Sequence, residues 1–190
     1  MSEPAPIQSF SYSIRPSIEA DIPVLEDLIP LSVRVLQAAY YTHAQMEAAL
    51  GPVFGVDRAL INDGTYYVVL DSGRIVGCGG WSRRSAVFGG DRHRQTEDAF
   101  LNPNDDPARI RAFFIHPDYA RQGIGRLILQ TCESAIVAAG FREAVLVATL
   151  AGEPLYARFG YTEQERYEVP LRDGLTLPVV RMGKCFGAPG

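Results

Sequence analysis

The chain has 190 residues, of which 47% are hydrophobic and 21% charged, and this balance is typical of a globular protein with a substantial core. Its formal net charge of -4 gives no general basic field, so the sequence does not favour binding to nucleic acid. No apolar run approaches the roughly 20 residues that cross a bilayer, and the first residues lack the basic and apolar regions of a secretory signal. We therefore expect neither a nucleic-acid partner nor a membrane partner.

Three cysteines, Cys78, Cys132 and Cys185, are odd in number and widely spaced. This pattern argues against a disulfide framework and against a zinc site, and it favours a reducing compartment. We therefore expect a cytoplasmic protein without a metal centre. Cys78 falls in a predicted strand and Cys132 on the apolar side of a predicted helix, so both are expected to be buried thiols.

The first half of the chain predicts a flexible leader followed by four regular segments. Residues 1–10 are rich in proline and serine and should be loosely ordered. Hydrophobic periodicity then predicts a strand over 11–15, a helix over 22–39, a helix over 42–50 and a hairpin formed by 65–70 and 74–81. Pro16 should stop the strand, and Pro30 should kink or break the first helix, because proline lacks the backbone N–H.

Two features of the middle of the chain stand out. The second hairpin strand contains the cluster Gly77-Cys78-Gly79-Gly80, and glycines inside a strand indicate close approach by another backbone or a ligand. Residues 82–107 are polar and lack periodicity, and an irregular segment of this length is often functional.

The second half predicts the remaining elements of a single domain. These are a strand over 109–115, a helix over 123–139, a strand over 141–147, a short helix over 154–159 and a hairpin formed by 161–169 and 175–184. The strand–helix–strand unit should form a parallel crossover, whereas the hairpins add antiparallel pairs. We therefore predict one α+β domain over 11–185 with a mixed sheet, followed by a tail at 186–190.

The stretch from Arg111 to Leu129 carries the clearest functional signal. It combines an apolar strand, a loop that ends in Gly123-Ile124-Gly125, and an amphipathic helix. A helix that begins directly after a buried strand presents unpaired N–H groups and a partial positive charge, which suits a phosphate or pyrophosphate. A dinucleotide fingerprint is disfavoured because its third glycine is missing, and a Walker-type loop lacks its Gly-Lys-Ser/Thr.

Two motifs in this order resemble the GNAT superfamily of acetyl-coenzyme A-dependent N-acetyltransferases. The first is Phe113-x-Ile115-x-Pro117 followed by Arg121-Gln-Gly-Ile-Gly125, and the second is Leu155-Tyr-Ala-Arg-Phe-Gly-Tyr161. The resemblance spans about residues 12–184. It implies a GNAT-like fold, with a central, mostly antiparallel mixed sheet of about six to seven strands, flanking helices and a β-α-β phosphate-loop unit.

The resemblance also implies a binding site for acetyl-CoA as co-substrate. By this likeness the cofactor-binding residues are Phe113, Phe114, Ile115, Arg121, Gln122, Gly123, Ile124, Gly125, Arg126, Thr149 and Tyr156. The N–H of Ile115 is expected to stabilise the oxyanion, and Tyr156 to protonate the departing thiolate. The alternative for Tyr156 is an aromatic residue that only packs in the core.

The sequence departs from the family pattern at three positions. Ala120 replaces a polar residue of the loop, Thr149 replaces an asparagine, and Arg109 stands where many members carry a catalytic carboxylate. The general base therefore stays open. The candidates are Glu97, Asp98, Asp106, the weaker candidate His116 and a chain of water molecules, although a solvated loop is the favoured explanation of the acidic residues.

The acceptor is the least determined part. By resemblance the acceptor cleft would involve Arg34, Tyr40, Tyr41, Trp81 and Arg83, each of which could instead be a packing or surface residue. If Arg34 or Arg83 faces the cleft, the acceptor would carry a carboxylate or phosphate. We expect transfer of an acetyl group to a small-molecule amine. The alternatives are a non-catalytic acyl-CoA sensor and a transferase for protein N-termini or lysines, and the family makes a homodimer plausible.

Overall fold

The computed structural model of the protein describes residues 12–85 and 99–187. The predicted leader, and residues 188–190 of the predicted tail, lie outside this part. The described strands are β1 (Ser13–Pro16), β2 (Tyr66–Asp71), β3 (Arg74–Ser82), β4 (Ala108–Ile115), β5 (Glu143–Thr149), β6 (Thr162–Pro170) and β7 (Thr176–Cys185). The described α-helices are α1 (Ile22–Leu36), α2 (His43–Ala49), α3 (Arg58–Asn62), α4 (Ile124–Ala138) and α5 (Glu153–Arg158).

All seven described strands form one mixed sheet in the order β1-β2-β3-β4-β5-β7-β6. β4 and β5 are parallel and are joined through α4, whereas the other neighbouring pairs are antiparallel. This arrangement confirms the predicted α+β fold and the predicted parallel crossover. The described helices lack the length and apolarity that a membrane span requires.

Two hydrophobic clusters cover the two faces of the sheet. One cluster contains the apolar sides of α1, α2 and α3, and the other contains those of α4 and α5. Within β7 the residues alternate between the clusters, as the twofold repeat of a strand requires, whereas in β4 the faces reverse between Ile110 and Ala112. Among the described residues, no group of His, Cys, Asp or Glu side chains is arranged to hold a metal ion.

The expected strand end at Pro16 is confirmed, whereas the expected break at Pro30 is not observed. Pro16 is the last residue of β1 and still pairs with Tyr67, which an edge strand tolerates because only one side is hydrogen-bonded. α1 runs through Pro30 without a break. The carbonyl that loses its partner there belongs to Glu26, which is exposed, so water can replace the missing N–H.

Other boundaries also differ from the predictions. α1 ends at Leu36 instead of continuing to residue 39, and β5 begins at Glu143, two residues later than expected. α3 was missed entirely because it is only five residues long. Its start does carry a sequence signal, since the Asp57 side chain accepts a hydrogen bond from the Leu60 N–H at 3.2 Å.

The glycine cluster in β3 serves packing within the protein. A Cβ atom at Gly79 would lie 2.4 Å from Cδ1 of Phe113, and one at Gly77 would lie 2.7 Å from Cγ2 of Ile124. The cluster therefore lets β4 and the start of α4 approach β3 closely. A Cβ atom at Gly80 would lie 2.5 Å from the backbone oxygen of Thr65, so the predicted close approach by another backbone is confirmed there, whereas the nearest atoms at Gly77 and Gly79 are side chains.

Replacing Gly79 by alanine is expected to lower the free energy of unfolding by about 1–3 kcal/mol, because the new methyl group overlaps the Phe113 ring. Urea denaturation measures this change. Gly187→Ala is the control, because nothing lies within 4 Å of a Cβ atom at that position. Equal stability of Gly79→Ala and the control would contradict the packing role.

Candidate active site

The site is built on the divergence of β4 and β5. These parallel strands pair only at Ala108 with Ala144, Arg109 with Val145 and Ile110 with Leu146. Beyond these pairs the strands separate, and a cavity of about 760 Å³ opens between them.

The distortion of β4 accompanies this opening. The register between β3 and β4 shifts between Cys78 and Gly80, which is the signature of a β-bulge. Ala112 has a left-handed φ of 63° at the same place, a conformation that a residue with a side chain rarely adopts. The bulge thus changes the course of β4 where the cavity begins.

Nearly all of the residues predicted to bind the cofactor line this cavity. They are Phe113, Phe114, Ile115, Arg121, Gly123, Ile124, Gly125, Arg126, Thr149 and Tyr156. Gln122 is the exception, because its side chain accepts a hydrogen bond from the Tyr12 hydroxyl at 2.6 Å and donates one to the Asp118 carbonyl at 2.9 Å. The structure thus brings both family motifs to one cavity, while their binding roles stay predictions.

The loop before α4 has the backbone geometry of an anion site. Arg121 and Gly123 both have left-handed conformations, with φ of 64° and 90°, and α4 begins at the next residue. Successive N–H groups in such conformations point to a common centre, and the helix start adds partial positive charge. Gly125 keeps the helix start close to the strands, since a Cβ atom there would lie 3.0 Å from Leu155 and 3.3 Å from Ile115.

Tyr156 lies on α5, in the wall of the cavity. Its ring centroid is 5.9 Å from that of Phe113 and 5.9 Å from that of Tyr161. Burial raises the pKa of the Tyr156 phenol well above its ordinary value, so the hydroxyl is protonated at neutral pH. Thr149 fixes the turn before this helix, because its hydroxyl accepts a hydrogen bond from the Gly152 N–H at 3.2 Å.

The N–H of Ile115 has a partner that the sequence did not reveal. His116 N–H donates to the Val76 carbonyl of β3, so by alternation the N–H of Ile115 points away from β3. There it donates to the hydroxyl of Ser32 on α1 at 3.1 Å. Ser32 is buried and lines the cavity. A carbonyl oxygen that takes this N–H has to share it with Ser32 or displace it.

Two of the predicted acceptor residues follow α1. Tyr40 is half-exposed and lines the cavity, as predicted. Tyr41 instead is buried and does not line it. Its hydroxyl accepts from the Leu150 N–H at 2.9 Å and donates to the Pro178 carbonyl at 2.7 Å. Tyr41 therefore joins the ends of β5 and β7 and supports the wall of the cavity.

The other three acceptor predictions were wrong about placement. Arg34 points to solvent and pairs with Glu47 at 2.6 Å. Arg83 is exposed and lies over the ring of Phe100, with 5.4 Å between the guanidinium carbon and the ring centroid. Trp81 is buried in the core on the α4 side of the sheet. Neither Arg34 nor Arg83 can therefore indicate the charge of the acceptor.

The candidates for the general base are not gathered at the cavity. Glu97 and Asp98 lie outside the described residues. Asp106 accepts a hydrogen bond from the Asn102 N–H in its own loop, and the His116 ring accepts one from the turn that follows it. Neither Asp106 nor His116 lines the cavity. The base is still open, and the water chain is still a candidate.

Several lining residues were missed by sequence reasoning. They come from α1, from the segment before α3 and from α5, and include Ser32, Leu36, Gln37, Val53, Phe54, Pro154 and Arg158. Most are ordinary apolar or small polar residues at helix positions, so their types carry no signal. Only the fold brings them to the cavity.

The fold and the cavity define a class of protein: an α+β domain in which a loop with the geometry of an anion site lies where two parallel strands diverge. A family model described as an acetyltransferase (GNAT) domain matches residues 62–163, which is more than half of the chain. The protein therefore belongs to the GNAT family of acetyltransferases. Curated protein sequences give no significant match.

Solved structures with the same fold support this assignment. A GCN5-related N-acetyltransferase from Rhodopseudomonas palustris matches with a TM-score of 0.69 and 21% identity over 92% of this chain and 95% of that one. PaiA N-acetyltransferase from Thermoplasma acidophilum, in complex with coenzyme A, matches with a TM-score of 0.64 and 16% identity over 93% of this chain and 99% of that one. YncA from Salmonella typhimurium, with its cofactor acetyl-CoA, matches with a TM-score of 0.61 and 16% identity over 95% of this chain and 96% of that one.

Proposed function

We propose that the protein transfers the acetyl group of acetyl-CoA directly to the primary amine of a small molecule. The observation that carries this proposal is the convergence of the anion-binding loop, the edge of β4 and the Tyr156 side chain on one cavity. PaiA and YncA hold coenzyme A and acetyl-CoA on the same fold, which supports the choice of co-substrate.

The proposed binding mode uses mainly backbone groups. The N–H groups at Arg121, Gly123, Gly125 and Arg126 hold the diphosphate, so the loss of a polar side chain at Ala120 is tolerated. The diverging edge of β4 offers its free side to the amide groups of the pantetheine arm. In this binding mode the pantetheine arm lies in the gap between β4 and β5, and that gap selects a chain of this shape.

Acetyl-CoA supplies a thioester, whose acyl carbon forms the new C–N bond with the amine as its C–S bond breaks. The N–H of Ile115 donates to the carbonyl oxygen as negative charge develops there. The Tyr156 hydroxyl gives its proton to the departing sulfur, and the second proton that the nitrogen loses as the amide forms returns through solvent to the phenolate. The proton that the ammonium group loses before attack passes to water or to a base outside these residues.

The contact between Ser32 and Ile115 leads to an expected result. Ser32→Ala should raise kcat/KM for acetyl-CoA by about 2–10-fold, because the Ile115 N–H no longer has an internal acceptor that competes with the carbonyl oxygen. Initial rates at varied acetyl-CoA measure this effect. The control is Ser82→Ala, since Ser82 is also buried and accepts a backbone N–H at 3.0 Å, outside the cavity. A fall in kcat/KM would show that the Ser32 hydroxyl itself takes part.

The proposed function is tested with purified protein, acetyl-CoA and a panel of small primary amines, while released thiol is followed with a disulfide dye. Transfer requires thiol release that depends on both the amine and the protein, together with an acetylated product of matching mass. Tight binding of CoA without thiol release for any amine would favour the acyl-CoA sensor. Release only with peptides or proteins would favour the protein N-terminal or lysine transferase.

We also propose the cytoplasm as the site of action. Cys78, Cys132 and Cys185 are all free thiols, in agreement with a reducing compartment. A homodimer stays an expectation from the family, and sedimentation at working concentration tests it.

A further inference from the structure

A second, smaller cavity of about 370 Å³ lies beside the first. The two cavities share Ile110 and Val147 in their walls, so they meet at the gap between β4 and β5. The smaller one is lined by charged residues from β4, β6 and β7, among them Arg109, Glu165 and Arg181. It therefore offers an acceptor a route to the gap that is distinct from the anion-binding loop.

The sheet register places two arginines on the same face. Arg109 of β4 is the neighbour of Val145 on β5, and Val147, two residues further along β5, is the neighbour of Arg181 on β7. Residues two apart on a strand share a face, so both guanidinium groups stand over the same pair of valines. Val145 is buried beneath them although it belongs to neither hydrophobic cluster.

The charges of this pair are not balanced within the described part of the chain. No carboxylate there lies within ion-pair distance of either guanidinium, although Glu165 is the register partner of Arg181 on β6. The Nε of Arg109 is buried without a hydrogen-bond partner among the described residues. Burial, and then the charge of Arg181, lower the pKa of Arg109, and the opposing effect of Asp106 offsets only part of this, so the protein holds this cation at a free-energy cost. An anion between the two arginines would offset that cost.

We propose that Arg109 and Arg181 bind a carboxylate of the acceptor, so that the substrate class is amines that carry a carboxylate at their far end. This inference rests on the proposed function and names its substrate class. It also accounts for Arg109 at the position where many family members carry an acid, because here the position serves recognition.

The positions along β4 set the length of the acceptor. Tyr156 lies beside Phe113, which is four residues along β4 from Arg109, so the two sites are about 13 Å apart at about 3.3 Å per residue. The arginine side chain spans part of this distance. The carboxylate and the amine of the acceptor should therefore be separated by a chain of several bonds, as in an ω-amino acid.

The test measures binding by calorimetry in the presence of CoA, so that it does not depend on turnover. The probes are 4-aminobutanoate, 6-aminohexanoate and 8-aminooctanoate, each compared with its own amide. The expected result is a preference of about tenfold or more for at least one carboxylate over its amide. The preference should fall to about twofold or less in Arg109→Gln with Arg181→Gln, and Arg109→Lys should retain part of it.

Arg142→Gln is the matched control, because Arg142 is an exposed arginine that lines neither cavity. It should keep the preference of the unchanged protein. No preference in the unchanged protein for any carboxylate, or a preference that survives the double substitution, would overturn the inference.

Failure of the proposed function would look different from failure of this inference. CoA titration alone, and thiol release with neutral amines, test the proposed function in the unchanged protein. If CoA does not bind, the proposed function is wrong, while the probes still report on the arginine pair. If CoA binds and the neutral amides react as well as the corresponding ω-amino carboxylates, only the inference is wrong.

Discussion

Tyr156→Phe is expected to lower kcat by about 10²–10⁴-fold while the Kd for CoA changes by about twofold or less. The reason lies in the packing: the ring is held between Phe113 and Tyr161, and phenylalanine keeps these contacts. Only the proton donor is lost, and the thiolate then leaves without a positioned acid. Single-turnover rates with acetyl-CoA and a reactive amine, together with calorimetric CoA titration, separate the two quantities.

Tyr161→Phe is the matched control, because its ring belongs to the same aromatic stack but does not line the cavity. It should keep nearly the full rate. Because burial raises the pKa of Tyr156, its acid form persists through the mildly alkaline range, and kcat should not fall there through loss of this proton. Loss of CoA affinity in Tyr156→Phe, with kcat unchanged, would make Tyr156 a packing residue.

Gly123→Val is expected to weaken CoA binding by at least about 100-fold, since several charge-assisted hydrogen bonds are lost together. Gly123 has φ of 90°, a conformation that a β-branched residue rarely adopts, so the loop must rearrange before α4. The N–H groups would then no longer point to a common centre. Calorimetric titration with CoA measures the loss.

The control for this variant is Gly73→Val in the turn between β2 and β3. Gly73 has φ of 85°, and nothing lies within 4 Å of a Cβ atom at either glycine. Both variants should therefore lose a similar free energy of unfolding, about 1–2 kcal/mol. Only Gly123→Val should lose CoA binding. Similar loss of binding in both would mean that general destabilisation is responsible.

The sequence predicted well those features that depend on local order along the chain. Hydrophobic periodicity and turn residues predicted the position of every described strand. The loop from Arg121 to Gly125 was predicted as an anion site because it follows a strand and leads into a helix, and it lines the cavity. Tyr156 was found because it belongs to a motif of contiguous residues. Such signals are local and do not require knowledge of which strands are neighbours.

Features that depend on the order of strands in the sheet could not be predicted from the sequence. Trp81 lies near the end of β3, but its side of the sheet depends on the register shift between β2 and β3, where β3 carries an extra residue between Ile75 and Gly77. Arg109 and Arg181 are separated by most of the second half of the chain and meet only because β7 lies next to β5. Ser32 reaches Ile115 because α1 packs across β4. These three outcomes need the tertiary fold.

The divergence of β4 and β5 has one further consequence, which concerns aggregation. Beyond Ile110 the sheet carries two strand edges in its interior, and exposed edges invite pairing with other chains. Here Ser32 accepts the Ile115 N–H of β4, and Tyr41 joins the end of β5 to β7 through the Leu150 N–H and the Pro178 carbonyl. Part of this interior edge is therefore already hydrogen-bonded within the chain, which lowers its tendency to pair with a strand from another protein.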